Sequence, residues 1–183
     1  MKLHFFSRQA ILLIVLSFVS TLCLAVSNPN YLCFTAEEAN AKVAIKKQGE
    51  PKAVSLKFSR DLKKWFDYAP GETGYILLSN IGDKVWFRAT STNNRFNDSG
   101  DYYRFSLVGG KVAASGNVMS LLDATCQQTS VPMHAFYSLF RDSKKLTKAP
   151  ELPAVLLSDD CYSEMFYGCT SLLNAPALPA TQL

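Results

Sequence analysis

The chain has very little histidine. Its 183 residues include only two, His4 and His134. A nucleophile paired with histidine therefore has few candidate bases, and the cysteine and histidine spacings do not match a zinc site. No glycine-rich phosphate loop or nucleotide fingerprint is present. These deficits predict a non-enzymatic binding protein that has no cofactor and no bound metal.

A strong charge of either sign is also missing. The formal net charge is +4, and it falls to +2 when an N-terminal leader containing Lys2 and Arg8 is removed. The basic residues between positions 42 and 64 mostly alternate with apolar ones, which is typical of the solvated face of a strand. We therefore do not expect nucleic acid as a partner.

Residues 1–27 have the three parts of a secretory signal peptide: a basic start, an apolar run over 10–19, and small residues before a polar segment. Cleavage after Ala25 and cleavage after Ser27 both fit the pattern. An uncleaved anchor is the alternative, but the apolar run is short for a membrane span. No second run is long enough to cross a bilayer, so we predict a secreted or cell-surface protein with no transmembrane span after cleavage.

Export permits disulfide bonds between the cysteines that remain after cleavage. Cys33 and Cys126 flank the first predicted domain, and their redox state is left open. Cys161 and Cys169 fall where a related segment has small residues, which favours buried free thiols over a bridge.

Residues 28–117 are predicted to be a small β-sandwich, similar to immunoglobulin or fibronectin domains. Apolar and polar residues alternate in short runs over 43–46, 54–58, 84–89 and 103–107, and turn residues separate these runs about every ten positions. Residues 118–132 follow as a linker or cap that contains a short helix or strand.

Within this domain, Trp65 and Trp86 are weak candidates for ligand stacking. Residues 58–68 predict a hairpin whose second strand opens with Trp65, and a structural role on the sheet is the commoner use of such a tryptophan. Asn97 begins an Asn-Asp-Ser sequon in a predicted exposed loop, where it could carry a glycan in a eukaryotic host.

Residues 133–183 contain an internal repeat with an offset of 26. A fixed period of this length predicts two coils of a leucine-rich-repeat solenoid. Aromatic residues at i, i+3 and i+4 predict a helical turn in each coil. The leucines that follow are six apart and accompanied by proline, which indicates an extended segment resembling an edge strand. The predicted repeat core comprises Phe140, Leu146, Leu152, Phe166, Cys169, Leu172 and Leu178.

The string MFYGCTSL (165–172), followed by APALPAT (175–181), resembles the BspA-like leucine-rich repeats of bacterial and protist surface proteins. Residues 31–39 and 81–89 resemble the β-domain that often precedes such repeats. The resemblance implies an adhesin-like scaffold that binds a host or cell-surface protein. The family defines no binding site that its members share. Two copies are few for this family, so the chain is interpreted as an N-terminal fragment. A carbohydrate-binding module that uses exposed aromatics of the β-domain is the alternative, with a glycan as partner.

Overall fold

The chain folds mainly as β-structure. The computed structural model describes residues 29–93 and 95–181, so the predicted signal peptide lies outside the described residues. The described part contains one 3-10 helix, Val118–Leu121, and no α-helix. Its strands are β1 (Leu32–Ala36), β2 (Ala41–Gln48), β3 (Leu56–Ser59), β4 (Trp65–Tyr68), β5 (Ile76–Leu78), β6 (Lys84–Ala89), β7 (Tyr102–Val108), β8 (Val112–Ser115), β9 (Ser130–Val131), β10 (Leu146–Lys148) and β11 (Leu156–Leu157).

The strands form three sheets. The largest has the order β10-β8-β1-β6-β3-β4, a second has the order β5-β2-β7, and β11 pairs with β9. Pairing is antiparallel except where a strand of the repeat region joins the sheets, at β10–β8 and β11–β9, which are parallel. The predicted hairpin over 58–68 is confirmed, because β3 and β4 pair antiparallel and β4 begins at Trp65.

The two larger sheets meet through aromatic side chains. Along β6, Val85, Phe87 and Ala89 are fully buried while their neighbours are not, which confirms the predicted alternation. Phe34 and Phe87 of the large sheet contact Phe105 of β7, with ring centroids 4.7 and 5.5 Å apart. The same buried cluster continues into the repeat region, so one core extends across the boundary predicted near residue 133.

The two repeat copies stack as coil 1 (residues 132–157) and coil 2 (158–181). The prediction of a helical turn in each coil is wrong, because every fourth residue has a positive φ, which an α-helix of L-residues does not accommodate. An aromatic spacing of four is common to both structures, which explains why the sequence pattern indicated a helix. The positive-φ residues are His134, Ser138 and Asp142 in coil 1, and Asp160, Glu164 and Gly168 in coil 2.

Alternate amides of coil 1 have different acceptors. The odd-numbered N–H groups from 135 to 143 donate to the carbonyl three residues earlier. The even-numbered N–H groups donate to coil 2 over 2.8–3.2 Å. These donors are His134, Phe136, Ser138, Phe140 and Asp142, and their acceptors are the carbonyls of Asp159, Cys161, Ser163, Met165 and Tyr167. The turn segments therefore pair edge to edge although they are not strands.

Aromatic rings repeat along the same stacking direction. Phe140 lies 5.3 Å from Phe105 on one side and 5.4 Å from Phe166 on the other, with nearly parallel planes. Phe136 stacks on Tyr162 at 5.9 Å in the same manner. Apolar burial and backbone pairing thus stabilise the same contact between the coils.

Burial of the predicted repeat core differs between the copies. Phe140, Leu146 and Leu152 of coil 1 are buried, and so is Cys169 of coil 2. The other coil 2 positions, Phe166 and Leu172, are partly buried. Leu178 is 52% exposed, so its assignment to the core is wrong for the described chain. It lies in coil 2, and no coil among the described residues stacks on the side of coil 2 that faces away from coil 1.

The upstream side of coil 1 is capped by the β-region. Asn97 N donates to Ala135 O at 3.0 Å, and Phe105 N donates to Leu139 O at 2.8 Å. Arg104 Nη1 reaches Arg141 O at 3.1 Å. The carbonyls that coil 1 presents upstream therefore find donors in residues 97–105.

Asn97 is central to this cap, and its predicted exposure is wrong. Its side chain is 2% exposed. Nδ2 donates to Tyr103 O at 2.8 Å and to Tyr137 O at 2.7 Å, while Oδ1 accepts from Tyr103 N at 2.7 Å. Both amide hydrogens are used inside the fold, so the folded protein does not present this nitrogen for glycosylation.

Replacing Asn97 by alanine is expected to destabilise the protein by about 2–4 kcal/mol, because it leaves buried backbone groups of Tyr103 and Tyr137 without partners. Urea denaturation measures the change. The matched control is Ser99→Ala, which also removes the sequon but changes an exposed hydroxyl. Equal stability of the Asn97→Ala and Ser99→Ala variants would contradict the capping role.

Candidate functional site

A row of outward side chains lies along β6, the strand at the middle of the large sheet. Because successive side chains of a strand point to opposite faces, Lys84, Trp86 and Arg88 lie on the face away from the core. Trp86 sits opposite Cys33 of β1 and Ser59 of β3. The strand thus presents a cation, an aromatic ring and a second cation in sequence.

Two further rings meet at the Arg88 end of this row. Tyr31 precedes β1 and Trp65 opens β4, so about 14 Å of sheet separates their backbones. Their rings nevertheless meet at 5.2 Å, edge to face. The guanidinium of Arg88 lies 4.5 Å from the Trp65 ring and 5.7 Å from the Tyr31 ring. We call the surface formed by Tyr31, Trp65, Lys84, Trp86 and Arg88 the aromatic face.

The nitrogen groups of the aromatic face are donors without protein acceptors among the described residues. Arg88 Nε is buried and makes no hydrogen bond within the described chain. In the same part of the chain, neither Lys84 nor Arg88 forms an ion pair, and the indole N–H groups of Trp65 and Trp86 donate to no side chain or carbonyl. A ligand rich in oxygen acceptors would satisfy these groups.

The nearby carboxylates are already engaged. Asp67 pairs with Lys57 at 2.6 Å. Asp61 accepts from the backbone N–H groups of Lys64 and Lys63 at 2.9 and 2.8 Å, and these bonds lower the pKa of its carboxyl group. Neither carboxylate neutralises Lys84 or Arg88, so the aromatic face has a local positive charge.

A second surface lies on the turn segments, and we call it the turn face. Arg141 of coil 1 forms an ion pair with Glu164 of coil 2 and lies 4.6 Å from the ring of Tyr167. Tyr137 donates to the same carboxylate at 3.1 Å, and its ring contacts Tyr102 of β7 at 5.5 Å. Tyrosine and arginine, together with tryptophan, are the residue types enriched in binding hot spots.

The two tryptophan candidates lie outside the core, and both belong to the aromatic face. Trp65 and Trp86 are both half-buried, and Trp65 is brought to Arg88, which the sequence did not single out. Sequence reasoning also missed Arg141 and Tyr167. They occupy equivalent positions 26 residues apart in the repeat, and that equivalence was the available signal.

His134 lies at the start of coil 1, beside the turn face. Its ring contacts Tyr137 at 6.2 Å, and its Nδ1 is buried without a hydrogen-bond partner among the described residues. No group of three or more histidine, cysteine or acidic side chains in the described ranges is arranged to hold a metal ion. Helices that could cross a bilayer are likewise not found there.

The four described cysteines are free thiols. Cys161 and Cys169 are buried, as predicted, and Cys33 and Cys126 are not bonded to each other. Burial raises the pKa of the Cys126 thiol to about 11, with a contribution from Asp123. Burial also raises the pKa of the Cys169 thiol to about 11. Both are therefore neutral near physiological pH.

Iodoacetamide is expected to label Cys126 slowly at pH 8, although that side chain is only partly buried. A pKa near 11 leaves a thiolate fraction about a hundredfold smaller than that of an ordinary thiol, and labelling should accelerate as the pH rises toward 11. Mass spectrometry of the modified protein follows the reaction. The urea-unfolded protein is the control, and fast labelling of native Cys126 at pH 8 would contradict the account.

The chain matches no family model, no curated protein and no solved structure.

Proposed function

We propose that the chain is a secreted or cell-surface scaffold that binds proteins and has no catalytic role. In this proposal an immunoglobulin-like or fibronectin-like β-sandwich caps the first coils of a leucine-rich-repeat solenoid, as in the BspA-like proteins that the repeat resembles. The leader over 1–27 supplies the export signal. The organism that makes the protein is a bacterium or a protist. The partner is a protein of the colonised host or of another cell surface.

The observation that carries the proposal is the register between the coils. Each paired amide of coil 1 and its acceptor in coil 2 differ by 25 positions, and stacked rings differ by 26. A one-dimensional stack in which each unit contacts its neighbours is the defining property of repeat scaffolds. Such a stack aligns outward side chains of successive units into one continuous surface.

The turn face is the part of that surface best suited to a protein partner. Tyr167 is 61% exposed, and Arg141 is held against it by Glu164 rather than left free to move. A fixed arginine and tyrosine lose little side-chain entropy on binding. Tyr102 and Tyr137 extend the same surface toward the β-region.

A second candidate function is carbohydrate binding by the aromatic face. The observation that favours it is the pair of half-buried tryptophans whose indole N–H groups have no acceptor among the described residues. Rings of this kind stack on the apolar side of a sugar, while their N–H groups donate to its hydroxyl oxygens. The two candidate functions use different surfaces, so they can be tested separately.

The fluorescently labelled mature chain is expected to bind intact cultured epithelial cells saturably, and prior trypsin treatment of the cells should abolish the binding. Tyr167→Ser is expected to weaken it about tenfold, which corresponds to about 1.4 kcal/mol, because an exposed anchor of the turn face is lost. Flow cytometry measures both effects.

Ile81→Ser is the matched control, since Ile81 is 71% exposed and lies outside the turn face. Equal weakening by Tyr167→Ser and Ile81→Ser would contradict a role for the turn face. Binding that survives trypsin and disappears after glycosidase treatment would instead support the carbohydrate candidate.

A further inference from the structure

We propose that the aromatic face binds a carboxylated oligosaccharide, with Arg88 holding a carboxylate and Trp86 stacking on a sugar ring. The inference rests on the second candidate function and specifies its ligand class. It follows from three properties of the face: an uncompensated cation, a row of alternating cations and rings, and a central strand, β6, that is paired on both sides.

Arg88 is the first of these. Its guanidinium is half-buried beneath Trp65 and Tyr31, and it has no carboxylate partner within the described residues. Stacking on two rings fixes its orientation, yet a partly desolvated charge without a counterion is costly. A planar guanidinium fixed in this way matches a carboxylate in two-point geometry, so an anionic ligand supplies the missing partner.

The spacing along β6 extends the site in both directions. Same-face residues two apart on a strand are separated by about 6.7 Å, so Lys84 and Arg88 flank Trp86 at equal distances. A sugar ring stacked on Trp86 lies within reach of a cation on each side. Successive acidic sugars of one chain can therefore contact Lys84 and Arg88 at the same time.

The pairing of β6 excludes a peptide strand added to its backbone. β6 pairs with β1 on one side and β3 on the other, so its backbone has no open edge for an added peptide strand. Recognition at this face depends on side chains alone, and these are rings, N–H donors and cations. A carboxylated sugar supplies an apolar ring face, hydroxyl oxygens and a carboxylate in one unit.

Intrinsic fluorescence provides a direct test, because both tryptophans of the chain lie on the aromatic face. Titration of the mature protein with oligogalacturonate is expected to change the emission saturably, and added salt should weaken binding. The fully methyl-esterified oligosaccharide is the neutral probe of matched shape, and it should bind at least tenfold more weakly.

Substitutions locate the carboxylate site. Arg88→Gln is expected to weaken oligogalacturonate binding at least tenfold, and Arg88→Lys should give an intermediate loss, because a lysine keeps the charge but not the planar fork. Lys84→Gln should weaken binding several-fold, and since Lys84 is exposed this variant tests the proposal even if Arg88 variants unfold. Lys42→Gln removes the same charge from an exposed position on β2, in another sheet, and should leave binding unchanged.

Four results would overturn the proposal. If the methyl ester binds as tightly as the acid in a tryptophan-dependent manner, carbohydrate binding stands and the carboxylate assignment falls. If neither the acid nor the methyl ester binds, carbohydrate binding and the carboxylate assignment both fall, while the proposal of a protein-binding scaffold is unaffected. If Lys42→Gln weakens binding as much as Lys84→Gln, the ligand does not bind specifically at the aromatic face. If oligoglutamate or oligothymidylate binds as well as oligogalacturonate, the face attracts polyanions in general.

Discussion

The described fold depends on a ladder of alternate backbone hydrogen bonds between turn segments. In coil 1 every second N–H group donates within its own turn, and the N–H groups between them donate to coil 2. All N–H groups of the ladder therefore point to one side of coil 1. The carbonyls that accept no hydrogen bond within the turns point to the other side. This polarity requires different partners on the two faces, and residues 97–105 supply the donors that the upstream face needs.

The positive-φ residues follow from this constraint. Turning a peptide group so that alternate amides point outward requires left-handed conformations at regular intervals, and they occur every four residues in both coils. Gly168 adopts this conformation without strain, and Asp142 occupies the equivalent place in coil 1. The four-residue interval also superimposes Phe136 and Phe140 on Tyr162 and Phe166, so backbone pairing and ring stacking have the same period.

Alternation in the sequence predicted β2, β3, β6 and β7, whereas no alternating run was predicted for β1, β5 or β8, and the repeat conformation was predicted only in part. Alternation along β6 and around the hairpin that opens at Trp65 is a local signal, and the structure confirms it. The prediction of a helical turn was wrong because i, i+4 spacing is shared by a helix and by a four-residue turn repeat. Asn97 could not be assigned from sequence, because its partners lie in β7 and coil 1. The convergence of Tyr31 and Trp65 on Arg88 likewise depends on strand order, which periodicity does not reveal.

Amide hydrogen exchange measured residue by residue tests the ladder most directly. Slow exchange is expected at Phe136, Ser138 and Phe140, whose N–H groups donate to coil 2. Much faster exchange is expected at the equivalent amides of coil 2, Tyr162, Glu164 and Phe166, for which no acceptor oxygen exists among the described residues. Uniform protection along the turn segments of both coils, as in a continuous helix, would contradict the ladder.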